Sequence, residues 1–161
     1  MKIFDTLIIG GGVAGMQCAL ILGSAKNKSF AEDKKIGIII HQKSSHLQNA
    51  LFNNVLGIEK GTLGLDILVK GKKQLTESYP HIDQIEEEKV TEITTSNNEF
   101  EITTNKDTYW CKVAVIALNY SNTLTIRGLE DYVEPHQRAH VKKDRIQLNN
   151  TNHLIKENLY V

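Results

Sequence analysis

The pattern of apolar and polar residues predicts a strand–turn–helix–strand unit in the first part of the chain. Residues 6–9 form a short apolar run that stops at three consecutive glycines. Residues 13–22 favour a helix, and the segment 23–35, which opens with Gly-Ser and turns polar, ends it. Residues 36–40 are apolar on both faces, which is typical of a strand buried in the middle of a parallel sheet.

A second helix is predicted after a polar loop. Residues 41–60 are rich in Ser, Asn and Gln, and residues 64–78 then fit a helix that Pro80 ends. One face of this helix carries Leu65, Leu68, Lys72 and Leu75, with Ile67 beside it.

The period changes to that of strands over residues 89–118. Apolar residues alternate with polar ones, and turn signals stand at 97–98 and 105–107, which predicts a small antiparallel meander feeding a buried strand. Further short strands are predicted at 145–148 and from residue 159 to the end of the sequence. The single charge run, Glu86-Glu87-Glu88-Lys89, is interpreted as a solvated edge.

This order of elements predicts an α/β fold. We expect a Rossmann-like domain in which a parallel sheet flanked by helices carries a three-stranded antiparallel β-meander. A chain of 161 residues suits one domain, spanning residues 1–161. The formal net charge of zero gives no general attraction to nucleic acid or to an anionic membrane. With no apolar stretch long enough for a bilayer and no secretory signal, we expect a cytoplasmic protein.

The cysteines and histidines suggest no metal site. Cys18 and Cys111 lie far apart without a C-x-x-C pair, so neither a disulfide framework nor a zinc site is expected. Both are interpreted as buried thiols, with one reactive thiol as the alternative. No catalytic acid or base is assigned, and the histidines in polar, loop-like segments are interpreted as solvated surface residues: His46, His81, His136, His140 and His153.

The glycines after the first strand have the spacing of a dinucleotide-binding loop. Gly10, Gly12 and Gly15 form G-x-G-x-x-G between a strand and a helix, inside one βαβ unit. The first glycine makes the turn, the second lets a pyrophosphate approach the backbone, and the third lets helix and strand pack closely. The phosphates would meet the N–H groups at the start of the helix, where Val13 and Ala14 stand. The alternative is a glycine-rich turn without a ligand.

The end of the second strand lacks the usual acidic partner of this motif. His41, Gln42 and Lys43 follow the strand, and none of them is Asp or Glu. Gln42 could hydrogen-bond a ribose, or His41 and Lys43 could face a 2′-phosphate and favour NADP. All three could also be ordinary loop residues, and the sequence leaves these readings open.

Residues 5–16 resemble the FAD-binding opening of the thioredoxin reductase-like flavoproteins, within the FAD-dependent pyridine nucleotide-disulfide oxidoreductases. The resemblance continues through the loop and helix up to Tyr79, the meander, and the segments 113–119, 126–129 and 145–161. It implies FAD as the cofactor. The cofactor-binding residues expected from the motif and the resemblance together are the glycine loop, residues 41–43, Val90, and the three residues Ala117, Leu118 and Asn119.

Four departures from that family accompany the resemblance. About twenty residues connect Arg127 to Arg145, too few for the NADPH domain that the family inserts near this point. The redox C-x-x-C is absent, and the family's Ala-Thr-Gly is replaced by Ala117-Leu118-Asn119. The sequence stops at Val161, where a Gly-Asp motif and a helix would follow, so either it is cut short or the site is incomplete.

The function expected from these observations is that of a compact FAD-binding oxidoreductase. The flavin itself would carry the redox chemistry. A small-molecule or protein donor would supply the electrons, because the chain has neither an NADPH domain nor a redox cysteine pair. One alternative is a non-enzymatic module that binds a nucleotide or a protein, and another is an NADP-binding protein without flavin. A homodimer is also expected, since a lone FAD domain exposes surface that its partner domain normally covers.

Overall fold

The computed structural model describes residues 2–41, 47–118 and 126–129, together with the backbone of residues 159–160. Its helices and strands are, in chain order, β1 Lys2–Ile9, α1 Val13–Ser24, β2 Ile36–Ile40, β3 Leu51–Phe52, β4 Thr62–Leu63, α2 Gly64–Ser78, β5 Asp83–Glu86, β6 Val90–Ser96, β7 Glu99–Thr104, β8 Thr108–Ile116 and β9 Leu159–Tyr160.

One mixed sheet organises these elements, in the order β5-β2-β1-β8-β7-β6. Strands β5, β2, β1 and β8 are parallel, whereas β6, β7 and the start of β8 form the antiparallel meander. Further along β8, Ala114 and Val115 pair in parallel with β9. The expected fold class, a Rossmann-like sheet with a three-stranded meander, is confirmed, and so is the short strand near the end of the sequence.

Each face of the parallel sheet has its own apolar core. Helices α1 and α2 pack on one face, where the core includes Ile8, Ile38 and Leu75. The meander covers the other face, where the core includes Leu7 and Ile102. All five residues of β2 are buried, as expected for a strand covered on both sides.

Three element predictions need correction. Strand β1 starts at Lys2 rather than at residue 6, because its first half pairs with the start of β8. Helix α1 continues through Gly23 to Ser24. A glycine suits this position because a Cβ there would lie only 2.7 Å from the Tyr79 ring. On α2, Leu68 and Leu75 are buried as predicted, but Leu65 is 48% exposed.

Strand β5 was not predicted from the sequence, because only Ile85 among its residues is buried and apolar. The predicted strand at 145–148 lies outside the described residues.

The interpretation of the charge run as a solvated edge is wrong at Glu88. Glu86, Glu87 and Lys89 are exposed, but Glu88 is only 8% exposed. Its carboxylate accepts hydrogen bonds from the Tyr109 hydroxyl at 2.9 Å and from Thr104 Oγ1 at 2.7 Å. A buried carboxylate is tolerated only with such partners.

Candidate functional site

The glycine loop turns sharply at the carboxyl end of β1. Gly10 has a φ of 126°, a conformation that L residues rarely adopt. A Cβ at this position would lie 2.3 Å from the carbonyl oxygen of Ala117. The turn therefore requires glycine for its conformation and also for its contact with the residue that follows β8.

Gly15 allows α1 to start directly against this turn. A Cβ at Gly15 would lie 1.8 Å from the carbonyl oxygen of Gly10 and 3.3 Å from the Cβ of Ala117. Any side chain at this position would push the first turn of the helix away from the sheet. This is the close packing that the third glycine of the motif is expected to provide.

Gly12 differs from the other two glycines, because it faces open space. It is the N-cap of α1, with extended backbone and no side-chain capping bond, and the first turn of the helix has no acidic residue. No atom lies within 4 Å of the position that a Cβ would take. The N–H groups at this helix end, including those of exposed Val13 and Ala14, are thus arranged as in an anion-binding site. The residues present fit a pyrophosphate.

The ends of three parallel strands meet beside this loop. The Gly10 N–H donates to the Ile39 carbonyl at 3.1 Å, and the Ala117 N–H donates to the Ile9 carbonyl at 2.9 Å. The Cδ2 atom of Leu118 lies 3.2 Å from the Cβ position of Gly10. In open α/β sheets, ligands bind at this carboxyl edge.

The remaining predicted site residues are distributed differently. His41 is exposed directly after β2, at the same edge of the sheet. Val90 is the first residue of β6, and its side chain is 5% exposed within the meander-side core, which leaves only its backbone for a ligand. Gln42, Lys43 and Asn119 lie outside the described residues.

The structure adds one segment that the sequence analysis did not place at this edge, namely the end of β5. Ile40 of β2 pairs with Glu86, and the Glu87 N–H donates to the Ile40 carbonyl at 2.9 Å. Two carboxylates therefore stand beside the end of β2. The sequence signal was the charge run itself, but it could not be located without recognising β5.

The two thiols lie on opposite faces of the sheet. Cys111 of β8 is buried in the meander-side core as predicted, whereas Cys18 of α1 is only half-buried against the helix-side core. Burial raises the pKa of the Cys18 thiol, and it raises that of Cys111 to about 12. Both thiols are therefore protonated at neutral pH, and the sheet between them prevents a disulfide with each other.

The surface interpretation of His81 is wrong, since this residue is half-buried and its Nε2 atom has no hydrogen-bond partner. The other histidines of that prediction lie outside the described residues. Within the part of the chain that the structure describes, no three His, Cys, Asp or Glu side chains form a group able to hold a metal ion. No helix of the described segments is long and apolar enough to cross a membrane.

Comparison with solved structures gives relatives of the same fold. An oxidoreductase from Agrobacterium tumefaciens is 27% identical, with a TM-score of 0.59 over 72% of this chain and 36% of that chain. A ferredoxin-flavin thioredoxin reductase from Clostridium acetobutylicum is 26% identical, with a TM-score of 0.55 over 72% of this chain and 37% of that one. A putative thioredoxin reductase from Bacillus anthracis, at 22% identity, has a TM-score of 0.59 over 71% of this chain and 36% of that chain.

The present chain spans little more than a third of the length of these relatives. No curated protein sequence matches it. The sequence profile described as pyridine nucleotide-disulphide oxidoreductase matches residues 4–161, almost the whole chain. Together with the glycine loop and the order of the strands, this match shows that the chain belongs to the pyridine nucleotide-disulphide oxidoreductase family.

Proposed function

We propose that this chain binds FAD at the carboxyl edge of its sheet and acts as a flavin-dependent oxidoreductase with an external electron donor. The observation that carries the proposal is the open, uncapped helix end at Gly12, beside two glycines that are closely packed. Tightly packed Gly10 and Gly15 hold the turn in place, while Gly12 leaves room for a pyrophosphate.

The roles of the residues follow from their positions. The N–H groups at the start of α1 receive the pyrophosphate, and the macrodipole of the helix stabilises its negative charge. The backbone at Ala117 and Leu118 forms the wall next to the loop, and Val90 offers backbone groups only. When bound, the flavin supplies the redox chemistry, and the protein orients it.

An external electron donor is proposed because the residues between Arg127 and Arg145 are too few for a domain that would hold NADPH. The chain's own cysteines also form no redox pair that could exchange electrons with the flavin. Cys18 and Cys111 are protonated at neutral pH and lie on opposite faces of the sheet. The Clostridium acetobutylicum relative is described as a ferredoxin-flavin enzyme. That description favours testing reduced ferredoxin as the donor beside NADH and NADPH.

The absorption spectrum of the purified protein tests flavin binding, followed by titration with FAD if the protein is colourless. A Gly12→Val variant should lose the flavin with only a small loss of thermal stability, because the new side chain blocks the pyrophosphate and meets open space in the protein, although valine is a poorer N-cap than glycine. Gln17→Ala, on the exposed side of α1, serves as the control and should bind FAD normally. A wild-type protein that takes up no FAD would refute the proposal.

A non-enzymatic nucleotide-binding module is the second candidate. It is favoured by the absence of a dithiol that could exchange electrons with a flavin. The chain has two cysteines, and Cys18 and Cys111 do not form a pair. Anaerobic mixing with NADH, NADPH or reduced ferredoxin separates the two candidates. Bleaching of the bound flavin supports the oxidoreductase, whereas a flavin that none of these donors reduces supports the binding module.

A further inference from the structure

The site has one chemical gap, at the adenosine ribose of the proposed dinucleotide. Rossmann sites bind the ribose hydroxyls with an acidic side chain at the end of the second strand. Here β2 ends at Ile40, and His41, Gln42 and Lys43 follow it without a carboxylate. The inference below rests on the proposed function, since it concerns the same site.

Strand β5 brings a carboxylate to the neighbouring position. Because Ile40 pairs with Glu86 and its carbonyl accepts the N–H of Glu87 at 2.9 Å, Glu87 stands beside His41 at this edge. Adjacent strands are about 4.8 Å apart, which a glutamate side chain can bridge. Glu87 therefore lies within one strand spacing of the expected acidic position.

The other two glutamates of the run are engaged elsewhere. Glu86 forms an ion pair with Lys72 of α2, on the helix side of the sheet. Glu88 is buried and accepts hydrogen bonds from the hydroxyls of Tyr109 and Thr104. Glu87, in contrast, has a side chain that is 86% exposed, and its ion pair with Lys106 is long, at 4.0 Å. Such an exposed pair is weak enough for a ligand to replace.

We propose that Glu87 is the ribose-binding carboxylate of this chain and that it selects against nucleotides with a 2′-phosphate. An ionised carboxylate accepts hydrogen bonds from both ribose hydroxyls, and such charge-assisted bonds are strong. The same carboxylate repels a 2′-phosphate, so it discriminates by repulsion as well as by attraction. Selection of FAD over an NADP-type ligand then follows, despite the basic residues His41 and Lys43.

Calorimetric titration of the full chain with ADP-ribose and with 2′-phospho-ADP-ribose tests this assignment. The two probes differ only in the 2′-phosphate, and neither requires a flavin or an activity assay. Wild-type protein should prefer ADP-ribose, Glu87→Gln should reduce that preference about tenfold, and Glu87→Lys should reverse it. Glu86→Gln removes the same charge from the neighbouring residue and should leave the preference unchanged.

The outcomes separate this inference from the proposed function. If wild-type protein binds FAD and ADP-ribose but Glu87→Gln keeps the wild-type preference, the inference is wrong and the proposed function stands. If Glu86→Gln changes the preference as much as Glu87→Gln, the effect is one of general charge, which also overturns the assignment. If wild-type protein binds neither FAD nor ADP-ribose, both proposals fail.

Discussion

Glu88 shows how much one side chain can contribute to joining the two halves of this fold. Glu88 lies just after β5, and its carboxylate accepts a hydrogen bond from the hydroxyl of Tyr109, near the start of β8. In Tyr109→Phe the buried carboxylate keeps only the Thr104 hydroxyl as a partner. Loss of one hydrogen bond to a buried charge costs about 1–3 kcal/mol, so urea unfolding should show a decrease of that size. Tyr79→Phe is the control, and an equal decrease there would contradict the role assigned to Glu88.

The same contact predicts a dependence of stability on alkaline pH. Burial, and next the hydrogen bond to Glu88, raise the pKa of Tyr109 well above its ordinary value of 10.0. Since the folded state binds this proton more tightly than the unfolded chain, the stabilisation is complete below pH 10 and is lost as the pH rises toward the folded-state pKa. Alkaline titration of phenolate absorbance should therefore show Tyr109 ionising in a late step, well above pH 10 or only together with unfolding. Tyr109→Phe should remove that last step.

At the level of residues, the sequence predicted those roles that depend on the spacing of neighbouring residues along the chain. The three glycines of the loop are identifiable because their order along the chain determines their roles. The partners of Glu88 are not, because Thr104 and Tyr109 lie 16 and 21 residues away and meet it only after the meander has formed. The acidic run looked like a solvated surface for the same reason.

Among the elements, the contact of α1 with the end of α2 offers a direct test of packing. A Cβ at Gly23 would lie 2.7 Å from Cγ and 2.9 Å from Cβ of Tyr79, atoms close to the backbone that cannot swing away. Alanine favours a helix over glycine by about 1 kcal/mol, but overpacking costs about 1–3 kcal/mol. Gly23→Ala should therefore lower the free energy of unfolding. Gln17→Ala on the exposed side of α1 is the control, and a stabilised Gly23→Ala would show that Tyr79 can move.

Elements with a strong periodic pattern were predicted closely, and the weak one was missed. Strand β2 and helix α2 have the predicted bounds, because continuous burial and helical spacing leave clear patterns. Strand β5 has one buried apolar residue and belongs to the sheet only through pairing with β2, which no local pattern reveals. The carboxyl edge of the site was incomplete in the sequence analysis because this strand was missing from it.

For the molecule as a whole, the distribution of exposed apolar side chains bears on assembly. The β3–β4 hairpin and the first half of α2 expose four large apolar residues close together in the chain: Leu51, Leu63, Leu65 and Val69. Exposed apolar patches commonly mark interfaces. We expect this surface to pair with a second copy of the chain, so light scattering should give twice the chain mass. The double substitution Leu65→Lys and Val69→Lys should give monomers, whereas Ile21→Lys on α1 should not, and a monomeric wild type would refute the expectation.

The pairing of β1 with β8 has a consequence for folding during synthesis of the chain on the ribosome. Lys2 pairs with Tyr109, so the middle of the sheet joins segments separated by about a hundred residues. At about 5–20 residues per second, β1 is synthesised roughly 5–20 s before its neighbour on that side exists. During this interval the apolar run Leu7–Ile9 has one unpaired edge, to which other nascent chains or a chaperone can bind. The rate of translation between these two strands should therefore influence the yield of native protein.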